Sequence, residues 1–133
     1  MKKVLILSLL TILSTSALAY YSNGFAFWSR PGHNLSRDQI NDFAGCYARF
    51  HMDKTHDFRV LNVMGRASFP DIDHVLGLDI ERDINFIEVG PRAVVRLYDN
   101  EGFRDYRGSL EPSSTYEGEE RLDMIDSFEV TCL

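Results

Sequence analysis

Acidic oxygen is the chemistry this sequence offers most freely, with 20 Asp and Glu against 14 Lys and Arg. The stretch "VVRLYDNEGFRDYRG", Val94–Gly108, sets Asp99, Asn100, Glu101 and Gly102 in a tight turn, with Tyr98, Phe103 and Tyr106 around it. A second dense run, "EGEERLD", covers Glu117–Asp123. Oxygen ligands suit hard cations, and clustered negative charge draws cations in. The four histidines, His33, His51, His56 and His74, have no zinc-like spacing with cysteine or with one another, and a His51/His56 pair is all that remains of nitrogen-based metal chemistry. Nucleophile elbow, P-loop and zincin motifs are missing. Ser, His and Asp are available, but availability is not a triad, and no pair of carboxylates is set in an indicated cleft. The chain therefore reads as a non-enzyme.

Charge and leader narrow the class further. Lys2 and Lys3, the apolar run Val4–Leu13 and the small-x-small site Ala17-Leu18-Ala19 form a secretory signal, residues 1–19, with Tyr20 as the expected mature start. The apolar run is too short to span a bilayer, so no membrane association is expected after cleavage. The product would be secreted or periplasmic. Loss of Lys2 and Lys3 moves the formal charge from −6 to about −8, which disfavours nucleic acid and anionic membranes and favours cations or basic proteins as partners. Removing residues 1–19 from 133 leaves about 114, enough for one domain with its own core. Cys46 and Cys132 are its two cysteines, and in an exported chain they most simply form one disulfide.

The elements that must carry these residues fall into two parts. Residues 20–45 form an extension, an irregular or covered strand followed by a short helix in "LSRDQINDFAG". Ser36 and Gln39 supply a capping box, and Gly45 supplies the stop. From Cys46 onward, short β-branched and aromatic runs alternate with Gly, Pro, Asp and Asn, which is a strand pattern. An internal repeat runs through them. "DINFIEV" aligns with "MIDSFEV", setting Ile87 on Phe128 and Val89 on Val130, and "RFHMDKTHDFR" aligns with "LYDNEGFRDYR", setting Phe50 on Tyr98 and Asp57 on Asp105. Each unit, about 46–90 and 91–133, is a strand, an acidic turn, a second strand, a loop and a closing strand. Two such units suggest paired Greek keys packed face to face, an all-β sandwich.

"VRLYDNEGFRDYRGSL" followed by "LDMIDSFEV" resembles the βγ-crystallin family. Tyr98 and Phe103 take its aromatic positions and Ser127 its closing-strand serine. The likeness covers about Cys46 to Val130, closer in the second unit than in the first. Asp57 and Asp105 stand where the family has a positive-φ glycine, Thr55 replaces an aromatic, and Phe86 replaces the first unit's serine. The resemblance implies a βγ-crystallin-like sandwich of two Greek-key motifs, with the short helix and extension added. It also implies that Tyr98 anchors its hairpin, with Phe103 and Tyr106 packed around it.

The resemblance further implies calcium sites, built from one unit's hairpin and loop together with the other unit's Ser/Thr position. The windows are "LDMIDS" and "ERDINF". One site would combine Glu101, Asp123 and Asn85, and the other Asp53, Arg82 and Asp126, with Arg82 damaging the second. The leading expectation is an exported structural or cation-binding protein. The alternative is an inhibitor of a secreted enzyme such as a peptidase, presenting "RASFPDIDHVLG" (Arg66–Gly77). A third reading is a partner-binding patch of Phe25, Phe27 and Trp28.

Overall fold

The computed structural model describes residues 19–118 and 122–133. The expected export signal, but for Ala19, and the centre of the "EGEERLD" loop lie outside the described residues. Eight strands follow in order: β1 (Tyr20–Ser29), β2 (Tyr47–Met52), β3 (Val60–Phe69), β4 (Ile84–Val89), β5 (Ala93–Asn100), β6 (Arg104–Leu110), β7 (Thr115–Glu117) and β8 (Ser127–Cys132). A short helix, α1 (Arg37–Asp42), precedes β2, and single 3₁₀ turns occupy Lys54–His56 and Ile72–His74. Ser36 and Gln39 cap α1 reciprocally, each side chain meeting the other's backbone N–H. Past its end Gly45 takes φ +78° and its N–H returns to Ile40 O, which satisfies a terminal carbonyl.

The hydrogen-bonded order is β6-β5-β8-β3-β2-β4-β7, with β1 added along β3. Strand β3 is the pivot. Its first half, Val60–Met64, pairs with β2, and its last residues, Ala67–Phe69, pair with β8 of the other unit. In return β7 crosses to pair with β4 of the first unit. Each layer thus borrows a strand from the opposite Greek key, so neither unit can close its core alone. The interior is a ladder of inward positions: Phe50 from β2 meets Phe128 from β8 at 4.3 Å between ring centroids, and Phe69 stacks on Phe128 at 4.6 Å. All three are fully buried.

The extension is a structural strand. β1 lies antiparallel along the whole of β3, with a register shift between Ser22 and Phe25. At the shift the two backbones approach so closely that a Cβ on Gly24 would sit 2.3 Å from Met64 O. Gly65, opposite, has φ +78° and would meet Asn23 O at 3.0 Å. A polar network ties the extension down. Buried Arg49 donates to Asn62 Oδ1 at 2.9 Å, to Glu88 at 3.4 Å and to His33 O, and Asn62 Nδ2 donates to Ser29 Oγ at 2.9 Å. Phe27 and Trp28 are partly covered. Phe25 is exposed but packs edge-on against Phe43 and stacks on Phe27. The patch expected from these three residues is therefore narrowed to Phe25.

The ladders correct the repeat alignment by one residue. Phe50 faces Ile87 and Leu97 faces Phe128, so Phe50 corresponds to Leu97, and His51, opposite Phe86, corresponds to Tyr98, opposite Ser127. Phe50 pairs with Leu61 and Leu97 with Gly108, 11 residues apart in each hairpin, and the ladders differ only beyond that pair, where a register shift lies between Leu97 and Tyr98. Tyr98 does anchor its hairpin: Phe103 and Tyr106 pack edge-on to it at 5.5 and 5.7 Å. Asp57 and Asp105, where the resemblance implied a positive-φ glycine, take φ +53° and +57°.

Candidate functional site

Three aspartates are placed by the same local device. Asp53, Asp71 and Asp79 each accept a hydrogen bond on Oδ1 from the backbone N–H two residues ahead, at 2.8, 2.9 and 3.0 Å. Such Asx turns fix one carboxylate oxygen and leave the other free to face outward. The first two open 3₁₀ turns whose last residues are His56 and His74.

Two groups of ligating atoms result. In one, the tip of the β5–β6 hairpin reaches the first unit: Gly102 N–H donates to Pro70 O at 2.9 Å, and carboxylate oxygens of Glu101, Asp71 and Asp73 come within 4.8 Å of one another. Asp73, Asp79 and Glu81 form an overlapping group. Its electrostatics are unfavourable. A side-chain hydrogen bond with Asp73, then burial and the charges of Asp73 and Asp126, raise the Glu81 carboxyl above its ordinary range. Burial, followed by Asp73, Asp71 and Asp99, raises Asp126 in the same direction. Arg82 offsets part of both.

The other group lies at the first hairpin. Asp53, His56 and Asp83 offer ligand atoms within 4.8 Å of one another. Beside them a cavity of about 140 Å³ is lined by Asp53, Arg82, Ile84, Asn85 and Asp123. Burial raises Asp83, and Asp53, Asp79 and Asp123 add to the shift while His56 opposes it.

The implied ligand sets are therefore exchanged. Asn85 and Asp123, expected beside Glu101, line a cavity with Asp53 and Arg82. Glu101 meets Asp71 and Asp73 instead, and Asp126, expected beside Asp53, feels those same charges. Leu122, at the head of the "LDMIDS" window, is a core residue. Asp71 and Asp73 escaped the sequence reading because the resemblance directs attention to the residues just before the closing strands; Glu81 lies inside the "ERDINF" window but was given no place in either site. A local signal existed: "DKTH" and "DIDH" repeat an Asp three residues before a His, at the two 3₁₀ turns.

The loop read as a possible inhibitor segment is largely internal. Phe69, Ile72 and Val75 are buried, and the side chains it exposes most are Arg66, His74 and Leu76. Cys46 and Cys132 are joined, as the count of two cysteines indicated. Among the described residues no helix is long and apolar enough to cross a membrane.

No protein-family profile and no curated protein matches the sequence. The structure is similar to a solved one described as "Evolution of the eye lens beta-gamma-crystallin domain fold". The TM-score is 0.57 at 18% identity, over 82% of this chain and 99% of the other. The fold is thus that of the βγ-crystallin domain.

Proposed function

We propose that this chain is an exported, non-enzymatic βγ-crystallin-type protein whose function is to bind divalent cations, calcium first, on an acidic face built across its two Greek keys. The observation that carries this reading is the convergence of Glu101, on the second unit's hairpin, with Asp71 and Asp73, in the first unit's loop. Three carboxylates from two units present only oxygen, the donor a hard cation takes. Repulsion among the neighbouring acids supports the same reading, because a cation bound at Asp73 would relieve part of what burial and charge impose on Glu81 and Asp126. Export is supported by the leader sequence and by the disulfide, since such bonds persist in oxidising compartments.

Calorimetric titration with calcium tests the proposal, together with melting in calcium and in chelator. A ligand bound only by the native state must raise the melting temperature. The expected result is saturable heat and a calcium-dependent rise, both lost in Glu101→Gln. Absence of heat and of any shift at millimolar calcium would end the calcium reading. The inhibitor alternative needs a projecting contact loop. With Phe69 and Ile72 in the core, it would have to rest on Arg66, His74 and Leu76, and a panel of secreted peptidases assayed with the protein tests it.

A further inference from the structure

We infer that the first hairpin carries a separate site for a borderline first-row divalent metal, with zinc as its reference ion, held by Asp53, His56 and Asp83. The site is distinct from the all-oxygen group at Glu101 in both position and ligand chemistry. Imidazole nitrogen beside carboxylate oxygen suits zinc and its first-row neighbours, whereas calcium takes oxygen alone.

Geometry supplies the first support. The three ligand atoms lie within 4.8 Å of one another, and zinc bonds to nitrogen and oxygen of about 2.0–2.2 Å require only small rotations to gather them. Their elements fix them independently. Asp53 is held by its Asx turn and His56 ends the 3₁₀ turn that Asp53 opens. Asp83 is tied to the same hairpin by Asp53 N–H donating to Asp83 O at 2.7 Å.

The second support is a buried nitrogen that has an ion-pair neighbour but, among the described residues, no hydrogen-bond partner. His56 Nδ1 is shut off from solvent and lies 2.9 Å from Asp83 Oδ2, yet the contact lacks hydrogen-bond geometry, so the nitrogen has no hydrogen-bond partner. Buried polar atoms are normally satisfied, and an exception calls for an occupant. An ion between Nδ1 and the carboxylates would satisfy all three groups at once. Arg82 also lines the adjoining cavity, beside Asp53. The cavity of about 140 Å³, with Asn85 and Asp123 on its wall, leaves room for a water or a further oxygen to complete the coordination.

The test is a zinc titration of the oxidised protein by calorimetry in saturating calcium, repeated on His56→Gln, Asp83→Asn and His74→Gln. Cobalt(II) absorption serves as a direct reading of nitrogen ligation. One zinc per chain is expected, with affinity at least about tenfold weaker in His56→Gln and in Asp83→Asn, in line with the 10–100-fold losses seen when groups supporting a metal are altered. His74→Gln should bind as the parent does, because His74 is largely exposed beside Asp71. The calcium response of His56→Gln should be unchanged, which separates failure at this site from failure at Glu101. No zinc heat in the parent protein, or equal affinity in a folded His56→Gln, would overturn the assignment. Loss in His74→Gln alone would move the metal to the other turn and overturn it as well.

Discussion

Ser127 Oγ stands between two backbone groups of the neighbouring hairpin: it donates to Asn100 O at 2.6 Å and accepts from Phe103 N–H at 3.1 Å. The serine is fully buried at the start of β8, directly opposite Tyr98. It therefore clamps the folded-over hairpin that carries Glu101. Phe86, at the matching place in β4, has no hydroxyl for this bond and instead packs against His51 at 4.9 Å.

Ser127→Ala should destabilise the protein by about 1–3 kcal/mol, because it removes two part-buried hydrogen bonds, each worth about 0.5–1.5 kcal/mol. Chemical denaturation measures the loss. If the clamp also positions Glu101, calcium affinity falls with it. An unchanged denaturation midpoint would show that the hairpin is held by its aromatics alone.

The Cys46–Cys132 bond joins residues 86 apart in sequence, with Cα atoms 5.4 Å apart. Closing so long a loop restricts the unfolded chain by on the order of 4 kcal/mol. Cys46→Ser and Cys132→Ser should lower the melting temperature equally, and the double variant should be no worse than either. Thiol labelling of the denatured, unreduced protein should find no free thiol.

Gly65→Ala and Gly32→Ala separate two effects of a glycine. Both positions have positive φ, but nothing lies within 4 Å of a Cβ at Gly32, whereas Asn23 O, Gly24 Cα and a Phe43 ring carbon crowd Gly65. The left-handed backbone alone costs about 1–2 kcal/mol. Gly32→Ala should lose no more than this. Gly65→Ala should lose clearly more and should loosen β1, read as faster amide exchange along Phe25–Ser29.

The raised carboxyls give a pH dependence of definite sign. Glu81 and Asp126 are held above their ordinary range in the folded protein, so the folded state binds more protons than the unfolded chain between the two values. Their contribution to stability is therefore unfavourable at neutral pH and is relieved as pH falls through the raised folded values toward the ordinary carboxylate range of about 4. Melting temperatures collected without calcium should show this relief in the parent protein, and Glu81→Gln should flatten it while raising stability at neutral pH. A steeper profile in Glu81→Gln would refute the assignment. Calcium should weaken the dependence, since a bound cation favours the ionised forms.

The sequence by itself determined what depends on neighbours along the chain. Short β-branched and aromatic runs between turn residues marked the strands, Ser36 and Gln39 marked a helix start, and Asp57 and Asp105 fell where left-handed backbone was needed. The order of aromatics, acids and serine in the second unit was enough to identify the fold, because Tyr98, Phe103 and Ser127 make one local assembly. Two cysteines left a single intramolecular pairing. Tertiary structure alone decided which acids meet. That outcome depends on β3 leaving β2 for β8 and on β7 crossing to β4, exchanges between layers that no local pattern encodes. Through them the Asp71–Asp73 loop comes under the Glu101 hairpin and Asp123 comes to the cavity at Asp53. The pairing of His51 with Phe86 and of Tyr98 with Ser127, visible only in the strand registers, is what sets His51 in the place of Tyr98. The same fold leaves His56 facing Asp83, 27 residues away in a chain whose histidines had no metal-ligand spacing of their own. Spacing rules see ligands that share one turn or one helix face; a site shared by a hairpin and a distant loop is fixed by packing.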